Sequence, residues 1–165
     1  MRLGTWPARR LGALGLALIG FATGCGGGRE EAREETKPAE STEGQLTAFE
    51  LENGIGPVKE GITVSAIDRA MATKGKVIFE LKCTACHKID TLYIGPALGE
   101  VTARRTGAYI MNMILNPQEM VERHPVAKQL LAERMSFMAN QNLTVEEARA
   151  VLEYLRTQSK NPPKP

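Results

Sequence analysis

The sequence predicts an all-α domain, and three observations carry that prediction. Apolar residues recur at spacings of three and four in several separate stretches. A Thr-x-x-Glu capping signature precedes the last and clearest of them. No stretch alternates apolar and polar residues long enough to read as a strand.

The helical pattern starts near Ala66, from where Ile67, Ala70, Met71, Lys74, Ile78, Phe79 and Leu81 recur at spacings of three and four. A second stretch spans about Gly107 to Leu115 and stops at Asn116-Pro117, because proline cannot continue a helix. A third starts at Pro125, suited to a first helical turn, and runs through Leu131 to Arg134. The fourth opens on the capping box Thr144-Val145-Glu146-Glu147 and carries Ala148, Val151, Leu152 and Leu155 on its apolar face. Upstream, Asn53-Gly54-Ile55-Gly56-Pro57 reads as a loop. Four to five short helices are expected.

Composition sets outer limits. The 165 residues carry a net charge of +2, too even for a nucleic-acid binder, and only 5% are aromatic. No apolar run reaches the ~20 residues that span a bilayer. The three cysteines cannot form a closed disulfide set.

The chain divides unevenly. Residues 1–24 hold Arg2, Arg9 and Arg10, no acid, and the apolar stretch Leu11 to Ala22, which reads as an export signal. Residues 25–48 read as a flexible tether: from Arg29 to Glu52 eight glutamates face three basic residues, with few apolar side chains to order the segment. Its root-mean-square reach is ~25–30 Å. Residues 49–160 form the domain, with an N-terminal extension at 49–65, and 161–165 a proline-rich tail. From Asn53 onward the net charge is +4.

Chemistry concentrates in Cys83-Thr84-Ala85-Cys86-His87, the C-x-x-C-H signature of c-type haem attachment. Two thiols three positions apart can each add to one of two neighbouring haem vinyl groups, and the next residue, His87, can offer its imidazole to iron. A thioredoxin-like pair would need a βαβ context, which the pattern lacks. A zinc site would need four ligands, and only His124 remains beyond Cys83, Cys86 and His87.

On these residues, Gly75 to Arg156 resembles the small mono-haem (class I) cytochromes c. Gly75, Phe79 and Cys83 match that family's N-terminal helix, Tyr154 and Leu155 its C-terminal helix, and Gly95-Pro96 the loop after the haem motif. The resemblance implies a cytochrome c fold around one covalently bound haem c. It further implies that the Pro96 carbonyl accepts a hydrogen bond from His87. The second iron ligand is expected on the irregular loop before the last helix, which points to Met138, with Met135 as second choice. His124 or an open site, and then Met111, Met113 and Met120, follow. Asn140 is expected to orient the Met138 sulfur. Tyr93, Arg105, Tyr109 and Asn116 are expected to contact the haem propionates.

The leader adds a second resemblance. Phe21-Ala22-Thr23-Gly24-Cys25 is similar to the lipobox of bacterial lipoproteins, which makes Cys25 the expected lipidation site. Phe49 to Pro57, with Tyr109 to Pro117, resembles a subgroup of membrane-anchored lipoprotein cytochromes serving respiratory oxidases or nitrous-oxide reductase. The implied function is electron transfer rather than catalysis. The chain would be a monomer, lipid-anchored with its domain in the periplasm or on the outer face of the cytoplasmic membrane. It would take electrons from a quinol-oxidising complex and pass them to a haem-copper oxidase or another terminal reductase. The alternatives are a haem with an open distal side, acting as peroxidase or small-ligand binder, and a fixed subunit of a larger respiratory complex.

Overall fold

The computed structural model describes residues 44–160. The stretches expected to be an export signal and a tether, as far as residue 43 and with Cys25 among them, and the tail at 161–165 lie outside the described residues. Within them there are seven helices and no strand: α1 Ala48–Asn53, α2 Arg69–Lys82, α3 Val101–Arg104, α4 Gly107–Leu115, α5 Pro117–Arg123, α6 Pro125–Arg134 and α7 Val145–Gln158. The count exceeds the four to five expected. Helices α1, α3 and α5 are each seven residues or shorter, so they hold too few turns to display a period. None of the described helices is long and apolar enough to cross a membrane.

Local chemistry explains the helix starts. The Thr144 hydroxyl accepts from the Glu147 amide at 3.1 Å, while the Glu147 carboxylate accepts from the Thr144 amide at 2.8 Å. Thr47 and Glu50 form the same reciprocal pair at α1. The carboxylate there is held below the usual range, first by the Thr47 backbone amide. Asp68 caps α2 and Thr106 caps α4, each through its side chain. Proline occupies the first turn of both α5 and α6.

Two apolar clusters build the core. The first joins α2, α4 and α7 through Phe79, Met111, Ile114, Val151, Leu152 and Leu155. Phe79 and Tyr154 meet with ring centroids 5.2 Å apart. Helices α2 and α7 pack closely at Gly75, where a β-carbon would lie 1.8 Å from the Ala150 carbonyl oxygen. The second cluster combines Ile55 with Tyr109, Met120, Val121 and Ala127.

The N-terminal extension packs on the domain through one side chain above all. Asn112, fully buried on α4, accepts from the Val58 amide at 2.9 Å. Its amide donates to the carbonyls of Asn53 and Val58, both at 3.0 Å. Asn116 adds a bond to the Ile55 carbonyl at 3.3 Å, and His124 donates through Nε2 to the Leu51 carbonyl at 3.1 Å. Replacing Asn112 by alanine leaves buried backbone groups unpaired, at about 1–3 kcal/mol. We expect the melting temperature of the holoprotein to fall by about 10 °C, with hydrogen exchange accelerated across residues 53–58. Unchanged exchange there would remove Asn112 from this role.

Candidate functional site

The C-x-x-C-H segment forms a tight turn at the end of α2. The amides of Cys86 and His87 both donate to the Cys83 carbonyl, at 3.1 and 2.8 Å. The chain then runs out and returns: Gly95 donates to the Cys86 carbonyl, Leu98 to Lys88 and Gly99 to Ile89, at 2.8 to 3.0 Å. This lacing brings Pro96 under the imidazole. His87 Nδ1 donates to the Pro96 carbonyl at 3.0 Å. A carbonyl only accepts, so the proton sits on Nδ1 and Nε2 keeps its lone pair. The approach is close because residue 95 is glycine; a β-carbon there would lie 2.3 Å from His87 Cε1.

Cys83, Cys86 and His87 line a cavity of about 330 Å³, walled by residues such as Phe79, Leu98, Ile110, Val151 and Leu155. Burial pushes the Cys83 thiol up to about 11, and the neighbouring Cys86 adds to the shift. A thiol held that high is protonated at neutral pH, the reverse of the lowered value that activates redox dithiols.

Met138 reaches the same cavity from the loop between α6 and α7, half-buried against the first core cluster. Met135 does not line it: the residue caps α6 in a left-handed conformation, φ 50°, and is 90% exposed. Met111 and Met120 are buried in the two core clusters. Met113 lines the cavity from α4 while packing against the second cluster. His124 is buried, commits Nε2 to Leu51 and is not among the lining residues.

The expected propionate contacts divide. Tyr109 and Arg105 line the cavity, with the Arg105 guanidinium 5.2 Å from the Tyr109 ring centroid. Tyr93 does not; it is exposed and lies beneath the Lys88 ammonium, 5.0 Å away. Asn116 does not either, because its amide serves Ile55 and the Glu119 carboxylate. Asn140 is also placed differently from expectation. It lies off the cavity lining, donating to the Leu115 carbonyl at 3.3 Å and accepting from the Asn142 amide at 2.8 Å.

Sequence reasoning missed Arg134, Arg104 and Gln141, all of which line the cavity. Arg134 ends α6, where a basic residue is expected merely as a complement to the helix dipole.

The lining accepts a haem on chemical grounds. Among the described residues it contains Lys82, Arg104, Arg105 and Arg134 and no acidic side chain. Two of its donors, Tyr109 Oη and Arg134 Nε, are buried with no hydrogen-bond partner among the described residues. Burial raises the Tyr109 phenol, with Arg105 opposing, which favours the neutral donor form. Apolar walls, cations and unpaired donors suit a large flat apolar group bearing carboxylates. Two thiols and a free imidazole lone pair suit its covalent attachment and its iron.

Comparison with known proteins agrees. The family model described as Cytochrome c matches residues 72–159. A solved structure of a cytochrome c from Rhodothermus marinus is 50% identical, covering 66% of this chain and 94% of that one, with a TM-score of 0.63. Cytochrome c-551 of Stutzerimonas stutzeri is 46% identical over 43 residues, 26% of this chain and 41% of its own length. The cytochrome c-553-like protein of Synechocystis sp. is 34% identical over 64 residues, 31% of this chain and 61% of its own. The chain thus spans less than two thirds of these two curated relatives.

Proposed function

This chain belongs to the cytochrome c family, and from that premise we propose that it is a membrane-tethered single-electron carrier between a quinol-oxidising complex and a terminal reductase. The family carries haem c covalently, and Cys83 and Cys86 stand where the two thioethers form. When bound, the haem supplies a one-electron couple at its iron. Everything else falls to the polypeptide. His87 presents Nε2 because Pro96 holds the proton on Nδ1. Met138 would serve as the second iron ligand, and Tyr109, Arg105 and Arg134 would hold the propionates. The apolar walls exclude water, so little has to reorganise when the charge changes.

The observation that supports His/Met ligation is that His87 and Met138, from two loops far apart in sequence, line one cavity, while Met135 faces solvent, His124 is committed to the extension and Met113, which also lines the cavity, is held on α4 against the second cluster. Thioether ligation raises the potential and leaves no open position for a substrate. Lipidation at Cys25 supplies the anchor and places the domain outside the cytoplasmic membrane, a reading supported by the lipobox-like Phe21 to Cys25. The mildly basic domain fits a transient, partly electrostatic encounter with a haem-copper oxidase. Tethering removes the need for tight binding.

The optical spectrum of the oxidised holoprotein tests the ligation. A weak far-red sulfur-to-iron band is expected, lost in Met138→Ala with the potential shifted down by on the order of 0.2 V, within the ~0.8 V that axial ligands command. High-spin iron in the unaltered protein, binding added ligands freely, would instead indicate an open distal side and a peroxidase or ligand-binding role. Electron-transfer rates with candidate oxidases should fall as ionic strength rises.

A further inference from the structure

The loop that carries Met138 is held to the rest of the domain by very little. Among the described residues, no backbone group between Ser136 and Leu143 bonds to another backbone group outside a helix. The loop leaves α6 through Met135 and reaches α7 through Asn142, both in positive-φ conformations at 50° and 53°. Within the described residues its side-chain bonds are local, Gln141 to the Ala139 carbonyl and Asn140 from the Asn142 amide, with one exception. That exception is the Asn140 amide, which donates to the Leu115 carbonyl at 3.3 Å. Leu115 is the last residue of α4, where carbonyls have no partner within the helix and carry its negative pole. Apart from that bond, the loop is seated by Met138 and Leu143 packing on the first core cluster.

We propose that Asn140 is a positioning residue: its bond to the end of α4 latches the 136–143 loop shut and thereby sets how readily a small neutral ligand displaces Met138. The inference rests on the reading of Met138 as an iron ligand. The two hinges concentrate the motion at Met135 and Asn142, and the weak attachment makes opening inexpensive. A ligand that fits only the open arrangement binds in proportion to the fraction of molecules that are open. The latch contributes one net hydrogen bond, so its loss raises that fraction several-fold.

Imidazole, a neutral ligand for ferric haem, reads this directly. Asn140→Asp keeps the oxygen that accepts from Asn142 but replaces the donor with a carboxylate facing the Leu115 carbonyl. Its apparent affinity for imidazole is expected to rise about fivefold, chiefly through faster association, with the far-red band retained in ligand-free protein. Asn140→Gln, which restores a donor, should lie between the two. Gln129→Ala, which loses only an exposed bond to Glu133 on α6, should bind imidazole like the unaltered protein. Imidazole binding unchanged in Asn140→Asp, while Met138→Ala binds far more tightly, overturns the latch and leaves the ligation reading intact. Equal binding by Met138→Ala and the unaltered protein, with no far-red band in either, overturns both.

Discussion

Gly75→Ala is expected to cost about 3 kcal/mol or more, the upper end of what overpacking causes. A methyl group at this position would lie 1.8 Å from the Ala150 carbonyl oxygen, 2.4 Å from its carbon and 2.9 Å from the Val151 nitrogen. All three are backbone atoms of α7, so no side-chain rotation relieves the overlap. The helices must separate, and separation also pulls apart Phe79 and Tyr154, whose rings meet a turn further along α2. Alanine's better helix propensity returns about 1 kcal/mol, which is too little to offset the clash. Urea unfolding of the holoprotein measures the difference, and a stability equal to the unaltered protein would mean that α2 and α7 do not cross at this point. Because Phe79 lies on this helix and Cys83 caps its end, a lower yield of haem-loaded protein is expected alongside.

Glu153→Ala is expected to destabilise the protein by about 3–5 kcal/mol, the usual result of leaving a buried ion without its partner. Glu153 and Arg156 are 1% and 3% exposed. The carboxylate accepts from Arg156 at 2.8 and 2.9 Å and from Arg149 at 2.6 Å. Arg156 in turn donates to the Ser65 carbonyl at 2.6 Å, tying α7 to the segment that precedes α2. Truncating the acid strands a guanidinium that cannot lose its proton. Replacing both residues together, Glu153→Leu with Arg156→Met, should recover most of the loss, since an apolar pair of similar volume needs no counter-ion. Thermal unfolding of the single and double variants separates the cases. A single variant within 1 kcal/mol of the unaltered protein would show that the pair is not buried in solution.

What could be read beforehand was mostly local. The C-x-x-C-H turn, the capping box at Thr144 and the proline at the start of α6 each announce themselves within five residues, because their hydrogen bonds close over that span. Thr47 and Glu50 make an identical box at α1, yet it was hidden among the glutamates of the tether, where the same residue types read as solvated charge. Met135 and Met138 could be ranked by the loop they sit on. Only the left-handed turn at Met135, a backbone property, shows one exposed and the other against the cavity. Arg134 was invisible for the opposite reason: its place at the cavity depends on how α6 packs, not on its neighbours in the chain. Asn116 and Asn140 carried side chains suited to a polar ligand, but the unpaired backbone groups of Ile55 and Leu115 claimed them instead.

The grip of Asn112 on the extension has a consequence for how that segment can vary. Its bonds reach the carbonyls of Asn53 and Val58 and the amide of Val58, all main-chain atoms, so they register a path rather than a set of side chains. That path tolerates few side chains where it passes α4: a β-carbon on Gly56 would lie 2.4 Å from the Asn112 side-chain oxygen, and one on Gly54, at φ 76°, 2.9 Å from the Met120 sulfur. Ile55 and Val58 are committed as well, each buried in one of the two apolar clusters. The attachment is therefore written on both sides of the interface, as bareness in the glycines and as a donor and an acceptor in one asparagine.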